Sequence, residues 1–151
     1  MGYYVNLVSA NIYIPTDLFA PICRHLLSSD FLSPSNMRGG SYGGPDDGKK
    51  WFSWCDMEKL RTALNEDNLY AVLECFRFEP GTDDAGNIIA LYFDCKCGDE
   101  ETLFRYLAPV LPGVTRLTWQ GEGGEQWRWR IADGELRWID GVTYFPGDDD
   151  E

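Results

Sequence analysis

The sequence predicts an α+β domain in which an antiparallel or mixed sheet carries two to three helices on one face and ends in a C-terminal three-stranded meander. Polar and apolar side chains alternate between residues 126 and 131, which is the period of a strand. Elsewhere apolar residues recur every three to four positions, which is the period of a helix. The two patterns interleave along the chain, which is typical of helices packed on a sheet. We assign residues 1–147 to this single domain and residues 148–151 to an acidic tail.

The N-terminal part of the chain predicts a strand followed by a helix. Residues 3–14 alternate loosely, and Pro15 ends the strand. Thr16 is expected to cap a helix over residues 17–28, in which apolar side chains form one stripe. The only histidine, His25, lies on this helix. Because it has no nucleophile or acid companion at a recognisable spacing, we interpret it as a surface residue rather than a catalytic base.

Residues 33–50 predict a long loop, because glycine, proline, serine and aspartate dominate the stretch and no periodicity survives. Long loops inside compact domains often carry function. The stretch lacks the Gly-Lys-Ser/Thr ending of a phosphate-binding loop. It is either a flexible recognition loop that carries Arg38, Tyr42, Lys49 and Lys50 or a segment without fixed structure. A short aromatic strand at 51–54 is expected to follow.

Between residues 56 and 111 the sequence predicts helices separated by a hairpin. Asp56 is expected to cap the first helix, which begins at Met57. Asp99 is expected to cap the last helix, where acids at the start complement the helix dipole. The expected ranges are a helix from 57 with a further turn or two at 68–73, strands at 74–79 and 88–94 around a turn at 80–87, and a helix at 100–111.

The meander has the clearest pattern in the sequence. Asp133-Gly134 separates its last two strands and tolerates the positive φ of a hairpin turn, and residues 121–124 form the preceding reversal. We interpret its tryptophans as core residues rather than as a platform on which a base or sugar stacks. The expected apolar face holds Trp127, Trp129, Ile131, Leu136 and Trp138.

The opposite face of the meander collects basic residues. They are Arg128, Arg130 and Arg137, with Arg116 in the strand before. In one interpretation this face binds an anionic ligand, because guanidinium groups suit carboxylates and phosphates. In the other, which we favour, the arginines pair across strands with acids on a solvated face. The acids available for that pairing are Glu122, Glu125 and Glu135.

Composition argues against several classes of function. The chain has 25 acidic and 13 basic residues and a formal net charge of −12, which argues against generic nucleic-acid binding and favours a partner with a basic surface. Five scattered cysteines and one histidine predict reduced thiols, with no metal site and no cofactor. The chain has no membrane-length apolar run and no secretory signal, so we expect a cytoplasmic protein. The sequence contains no nucleophile elbow, HExxH pattern or Walker box, which favours a non-enzymatic protein.

Five short motifs stand out in the last two thirds of the chain. They are Trp51-Phe52-Ser53-Trp54, Asp84-x-Gly86-Asn87-Ile88, Gly98-Asp99-Glu100-Glu101, Leu107-Ala108-Pro109 and Gly121-Glu122-x-Gly124-Glu125-Gln126-Trp127-Arg128-Trp129. Together they resemble a group of small acidic proteins from bacteriophages and prophages. The shared positions are mostly turn glycines, a helix cap and tryptophans, so the resemblance implies a common fold rather than a shared active site.

The acidity, the missing catalytic motifs and this resemblance lead us to expect a non-enzymatic protein of a mobile element. It would bind and inhibit a host nucleic-acid-binding defence protein by presenting carboxylates where phosphates would sit. The acidic surface expected to do this holds Asp99, Glu100, Glu101, Glu122 and Glu125. One alternative is a module for a small anionic ligand or nucleotide that uses Arg128, Arg130, Arg137, Arg38 and Tyr42. Another is an immunity-type protein that neutralises a toxin.

Overall fold

The computed structural model describes residues 4–33, 36, 55–96, 98 and 100–140. Within these ranges the chain has the predicted α+β class, with four α-helices, a five-stranded antiparallel sheet and a separate two-stranded sheet. Several predictions lie outside the described residues: Arg38 and Tyr42 of the long loop, the aromatic strand at 51–54, the cap at Asp99 and the acidic tail.

The five-stranded sheet extends the predicted meander. Its strands are β1 (Tyr4–Asn11), β4 (Asp94–Lys96), β5 (Thr115–Gly121), β6 (Gln126–Ala132) and β7 (Glu135–Asp140). They lie in the order β4-β1-β5-β6-β7, and each neighbouring pair is antiparallel. Asp133 and Gly134 take φ values of 55° and 81° in the β6–β7 turn, which confirms the hairpin that the Asp-Gly pair predicts.

The helices and the small sheet complete the architecture. The helices are α1 (Phe19–Ser28), α2 (Met57–Asn65), α3 (Leu69–Cys75) and α4 (Glu100–Leu107), and the small sheet pairs β2 (Glu79–Thr82) with β3 (Ile88–Tyr92). Asp56 caps α2 as predicted, because its Oδ1 accepts the backbone N–H groups of residues 58 and 59 at 3.0 and 3.2 Å. The Asn68 side chain accepts the N–H of Ala71 at 3.2 Å and starts α3 as a separate helix. For this reason the described ranges hold four α-helices, where the sequence predicts two to three.

Three local predictions are wrong. The strand expected at 88–94 ends at Tyr92, and Asp94–Lys96 is a separate strand of the five-stranded sheet. Residues 74–79 do not form one strand: α3 runs to Cys75, and Arg77 takes a left-handed φ of 70°. The chain reverses at Arg77, and Phe76 and Phe78 on either side of it are both buried. In the sequence, two buried residues spaced in this way look like the alternation of a strand. Thr16 does not cap the first α-helix. It begins a 3-10 turn at Thr16–Leu18, and α1 starts at Phe19.

The core lies between the helices, the small sheet and one face of the five-stranded sheet. Trp119 of β5 is at its centre, with ring centroids 5.4 Å from Phe93, 6.1 Å from Phe78 and 4.9 Å from Trp129. Phe104 of α4 lies 6.1 Å from Trp129. Such aromatic contacts bury large apolar areas. The arginines of the meander point to the other side of the sheet, because directly opposed strand residues share a face.

Candidate binding surfaces

Three arginines form one row across the sheet on the face opposite the core. Arg116 of β5 lies directly opposite Arg130 of β6, which lies directly opposite Arg137 of β7. Arg128 is in the next row, opposite Thr118. Directly opposed Cβ atoms are about 5 Å apart, and like charges at that position are destabilising. We call Arg116, Arg128, Arg130 and Arg137 the arginine face.

Two of the predicted ion-pair partners, and the predicted solvation of the arginine face, need correction. Glu135 pairs with Arg137 at 3.0 Å, but within strand β7 rather than across strands. Glu122 accepts the backbone N–H of Tyr4 at 2.7 Å. Arg128 is only 8% exposed, and its Nε donates to the Thr118 hydroxyl at 3.0 Å. The arginine face is thus not uniformly solvated, since Arg128 is part of the packing.

The structure separates the acids that the sequence groups into one acidic surface. Glu100 and Glu101 begin α4, whereas Glu122 and Glu125 lie in and beside the β5–β6 turn. Glu100 is only 3% exposed, and its Oε2 lies 3.7 Å from a terminal nitrogen of Arg77. The prediction that Glu100 belongs to an exposed acidic surface is therefore wrong. Glu101 is half-buried, and the two turn glutamates are exposed.

A further acidic surface, which the sequence did not single out, covers α2, α3 and their flanks. Every acid between residues 56 and 79 is exposed. None of them forms an ion pair with another described residue. We call this set the α2–α3 surface: Asp56, Glu58, Glu66, Asp67, Glu74 and Glu79. The helical periodicity could have indicated Glu58 and Glu74, which occupy polar positions of α2 and α3; the other four acids lie at the helix ends, in the connection between the helices and in β2.

An open groove of about 710 Å³ lies within the α2–α3 surface. Its lining includes Asp56, Glu58, Glu66 and Glu74, together with Lys59 and Arg77. Arg77 is directed to the strands: its Nη1 donates to the Cys95 sulfur at 3.0 Å and its Nη2 to the Lys96 carbonyl oxygen at 2.5 Å. More negative than positive charge is therefore available to a partner in this groove.

A smaller cavity opens where the meander meets the start of α4. It has a volume of about 160 Å³. Its lining includes Trp119, Trp127, Trp129 and Trp138, together with Glu100 and Glu101; we call it the tryptophan cavity. Trp119 and Trp129 are 2% and 5% exposed, so they are core residues as predicted. That interpretation is wrong for Trp138, which is 46% exposed.

The four indoles of the tryptophan cavity adopt different orientations. Trp127 and Trp138 are stacked, with ring planes 5° apart and centroids 5.9 Å apart. Trp129 is tilted by 51° against Trp138 and by 56° against Trp119. The Nε1–H groups of Trp119 and Trp129 are buried and have no hydrogen-bond partner in the described part of the chain. Buried donors without an acceptor are uncommon in folded proteins.

The thiols differ in acidity. The cysteines at 23, 55, 75 and 95 are reduced thiols, as the sequence predicts. Burial, and secondarily the charge of Asp67, raises the pKa of Cys23 to about 11. A hydrogen bond with the Cys55 thiol lowers the pKa of Cys75. Across the described ranges no three potential metal ligands cluster.

A polar cluster ties α1 to α4. His25 is half-buried, and its Nε2 lies 3.1 Å from the Tyr106 carbonyl oxygen. The Tyr106 hydroxyl donates to Oδ1 of Asp30 at 2.6 Å, and this bond raises the pKa of Tyr106. The histidine thus joins two helices and is not the plain surface residue that we expected.

No protein-family model matches the sequence, and neither the curated proteins nor the solved structures include a significant match. Among the helices that the structure describes, none is long and apolar enough to cross a membrane. The function is therefore inferred from the three surfaces themselves.

Proposed function

We propose that this protein is a non-enzymatic binding protein that holds a basic surface of another protein against the α2–α3 surface. The observation that carries the proposal is the set of exposed carboxylates that form no ion pair with the residues that the structure describes, in a chain with a formal net charge of −12. Mutual repulsion among such charges is relieved when the cations of a partner approach. A partner rich in lysine and arginine is therefore favoured.

The placement of the basic residues supports this proposal. The arginine face lies on the side of the sheet opposite the core, whereas the helices lie on the core side. Arg77, which lines the groove, is engaged by the Cys95 sulfur and the Lys96 carbonyl. Lys59 and Arg61 are exposed on α2, so the six acids of the α2–α3 surface outnumber the exposed cations of that helix. A net negative surface of this kind orients a basic partner during its approach and raises the association rate.

The partner that we propose is a nucleic-acid-binding protein of a bacterial host defence system. Lysine and arginine side chains that contact phosphates also bind carboxylates. Carboxylates on the α2–α3 surface can then occupy the positions that phosphates take in the partner's nucleic-acid complex. The resemblance of the sequence motifs to bacteriophage and prophage proteins supports this choice of partner.

Capture from a bacterial lysate tests the proposal. The tagged protein is incubated at low salt and washed with rising concentrations of NaCl, because contacts between exposed charges weaken with salt. The test variant is the triple substitution Glu58→Gln, Glu66→Gln, Glu74→Gln, which leaves the helix cap intact. We expect it to weaken binding roughly threefold to hundredfold, from the usual contribution of three exposed ion pairs.

A matched control separates the surface from the overall charge. The triple variant Asp17→Asn, Asp84→Asn, Asp133→Asn removes the same three charges from exposed positions outside the groove. It should bind the partner with at most a small loss. Added duplex DNA should release the partner. A partner that lacks a basic surface, resists salt and DNA, or is lost equally in both variants would contradict the proposal.

The arginine row favours a second candidate function, the binding of a small anionic ligand. An anion that bridges Arg116, Arg130 and Arg137 would reduce their like-charge repulsion. The test is to measure the Tm of the protein in ATP or in inorganic phosphate and to compare it with the Tm in KCl at equal ionic strength. A rise in Tm that the Arg137→Gln variant loses supports it. Equal Tm values in phosphate, ATP and KCl remove it.

A further inference from the structure

Aromatic walls surround the tryptophan cavity from several directions. The tilts of 51° and 56° between neighbouring rings make its wall curved rather than flat. The face of an aromatic ring carries partial negative charge and attracts a cation, and indole does so most strongly. Trp127 and Trp138 are the least buried of the four indoles and therefore offer most of the ring surface to a bound group.

Among the described residues that line the tryptophan cavity, the charged ones are acids. Glu100 and Glu101 belong to the lining, whereas Arg77 and Arg105, which pair with them, do not. Both hydrogen bonds that Arg105 donates to Glu101 end on Oε2, and Oε1 accepts none from the residues that the structure describes. The lining thus favours a cationic ligand over an anionic one.

Size and polarity favour a quaternary ammonium group over a primary one. The volume of about 160 Å³ is close to the roughly 150 Å³ of an apolar cavity that accepts benzene, so one trimethylammonium group fits. A primary ammonium brings three strongly hydrated N–H donors that all need acceptors. A trimethylammonium group brings none and presents only methyl groups to the rings.

The buried indole donors do not take part in binding. The N–H groups of Trp119 and Trp129 are fully buried, so a ligand in the open part of the cavity does not reach them. The cavity therefore offers ring surface and carboxylate oxygens rather than these donors. We propose that the tryptophan cavity binds a quaternary ammonium compound of the choline or glycine betaine type. The same head group exists free in solution and on lipid surfaces.

Titration of the full-length ¹⁵N-labelled protein tests this proposal through the indole N–H resonances. Choline and glycine betaine are the ligands, and the controls are NaCl at equal ionic strength and dimethylbutanol, in which carbon replaces the choline nitrogen. We expect saturable shifts of the cavity tryptophans at concentrations about tenfold lower for choline than for its neutral analogue. A separate titration with phosphatidylcholine vesicles shows whether the protein binds the head group on a lipid surface or only the free compound.

Variants at the rim avoid disturbing the core. Trp138→Ala removes a half-exposed ring and should weaken choline binding about tenfold. Glu101→Gln removes a charge without changing the shape and should weaken it roughly threefold. Tyr13→Ala removes a similarly exposed ring outside the lining and should leave binding unchanged. Equal affinity for choline and dimethylbutanol, or no saturable shift with any cation or vesicle, would overturn the proposal.

Discussion

Trp129 and Trp138 form a natural matched pair for testing which tryptophans hold the fold together. They lie directly opposite each other on β6 and β7 and share a face, yet they are 5% and 46% exposed. With about 250 Å² per side chain and about 25 cal/mol per Å², the difference in burial amounts to about 2.5 kcal/mol. We expect Trp129→Ala to cost about 3–5 kcal/mol of unfolding free energy, as buried aromatic truncations do. Trp138→Ala should cost about 2.5 kcal/mol less.

Urea unfolding followed by far-UV circular dichroism measures both losses under the same conditions. If Trp129→Ala does not fold, Trp129→Phe replaces it and should still lose more stability than Trp138→Phe. Equal losses in the two variants would refute the reasoning. Equal losses would mean that Trp138 contributes to the core in spite of its exposure. A Trp138 variant would then change ligand binding and the stability of the fold together.

Three further predictions concern caps, thiols and pH. Asp56→Ala should lower the unfolding free energy by about 1 kcal/mol in urea titrations, because α2 loses its N-cap; an unchanged midpoint would contradict this. Near neutral pH, iodoacetamide should alkylate Cys75 before Cys23 in mass-spectrometric peptide maps, because the lower pKa of Cys75 gives more thiolate; the reverse order would exclude the assigned pKa directions. Hydrogen bonds with Asn87 lower the pKa of Asp83, so its stabilising effect should be present above the unfolded-state pKa and lost as pH falls through the folded-state pKa. Asp83→Asn should thus be less stable than the parent at neutral pH and equally stable in strong acid, and a difference that persists in acid would argue against this.

The sequence determined those features that depend on neighbouring residues. The alternation around Trp129 fixes which side chains share a face, and the Asp133-Gly134 pair fixes the turn, because both are local properties of the backbone. Asp56 was recognisable as a cap for the same reason. Local pattern failed at Arg77, whose left-handed φ interrupts an apparent strand, because the sequence pattern around it does not distinguish a reversal from alternation.

Only the tertiary structure decided which surfaces these elements form. Strand register aligns Arg116, Arg130 and Arg137 in one row, and register between strands is a long-range property. Trp138 follows the same pattern as Trp129 but is half-exposed, because β7 is the edge strand of the sheet. The tryptophan cavity likewise exists only where the meander meets α4, since residues far apart in sequence must pack together to enclose a space.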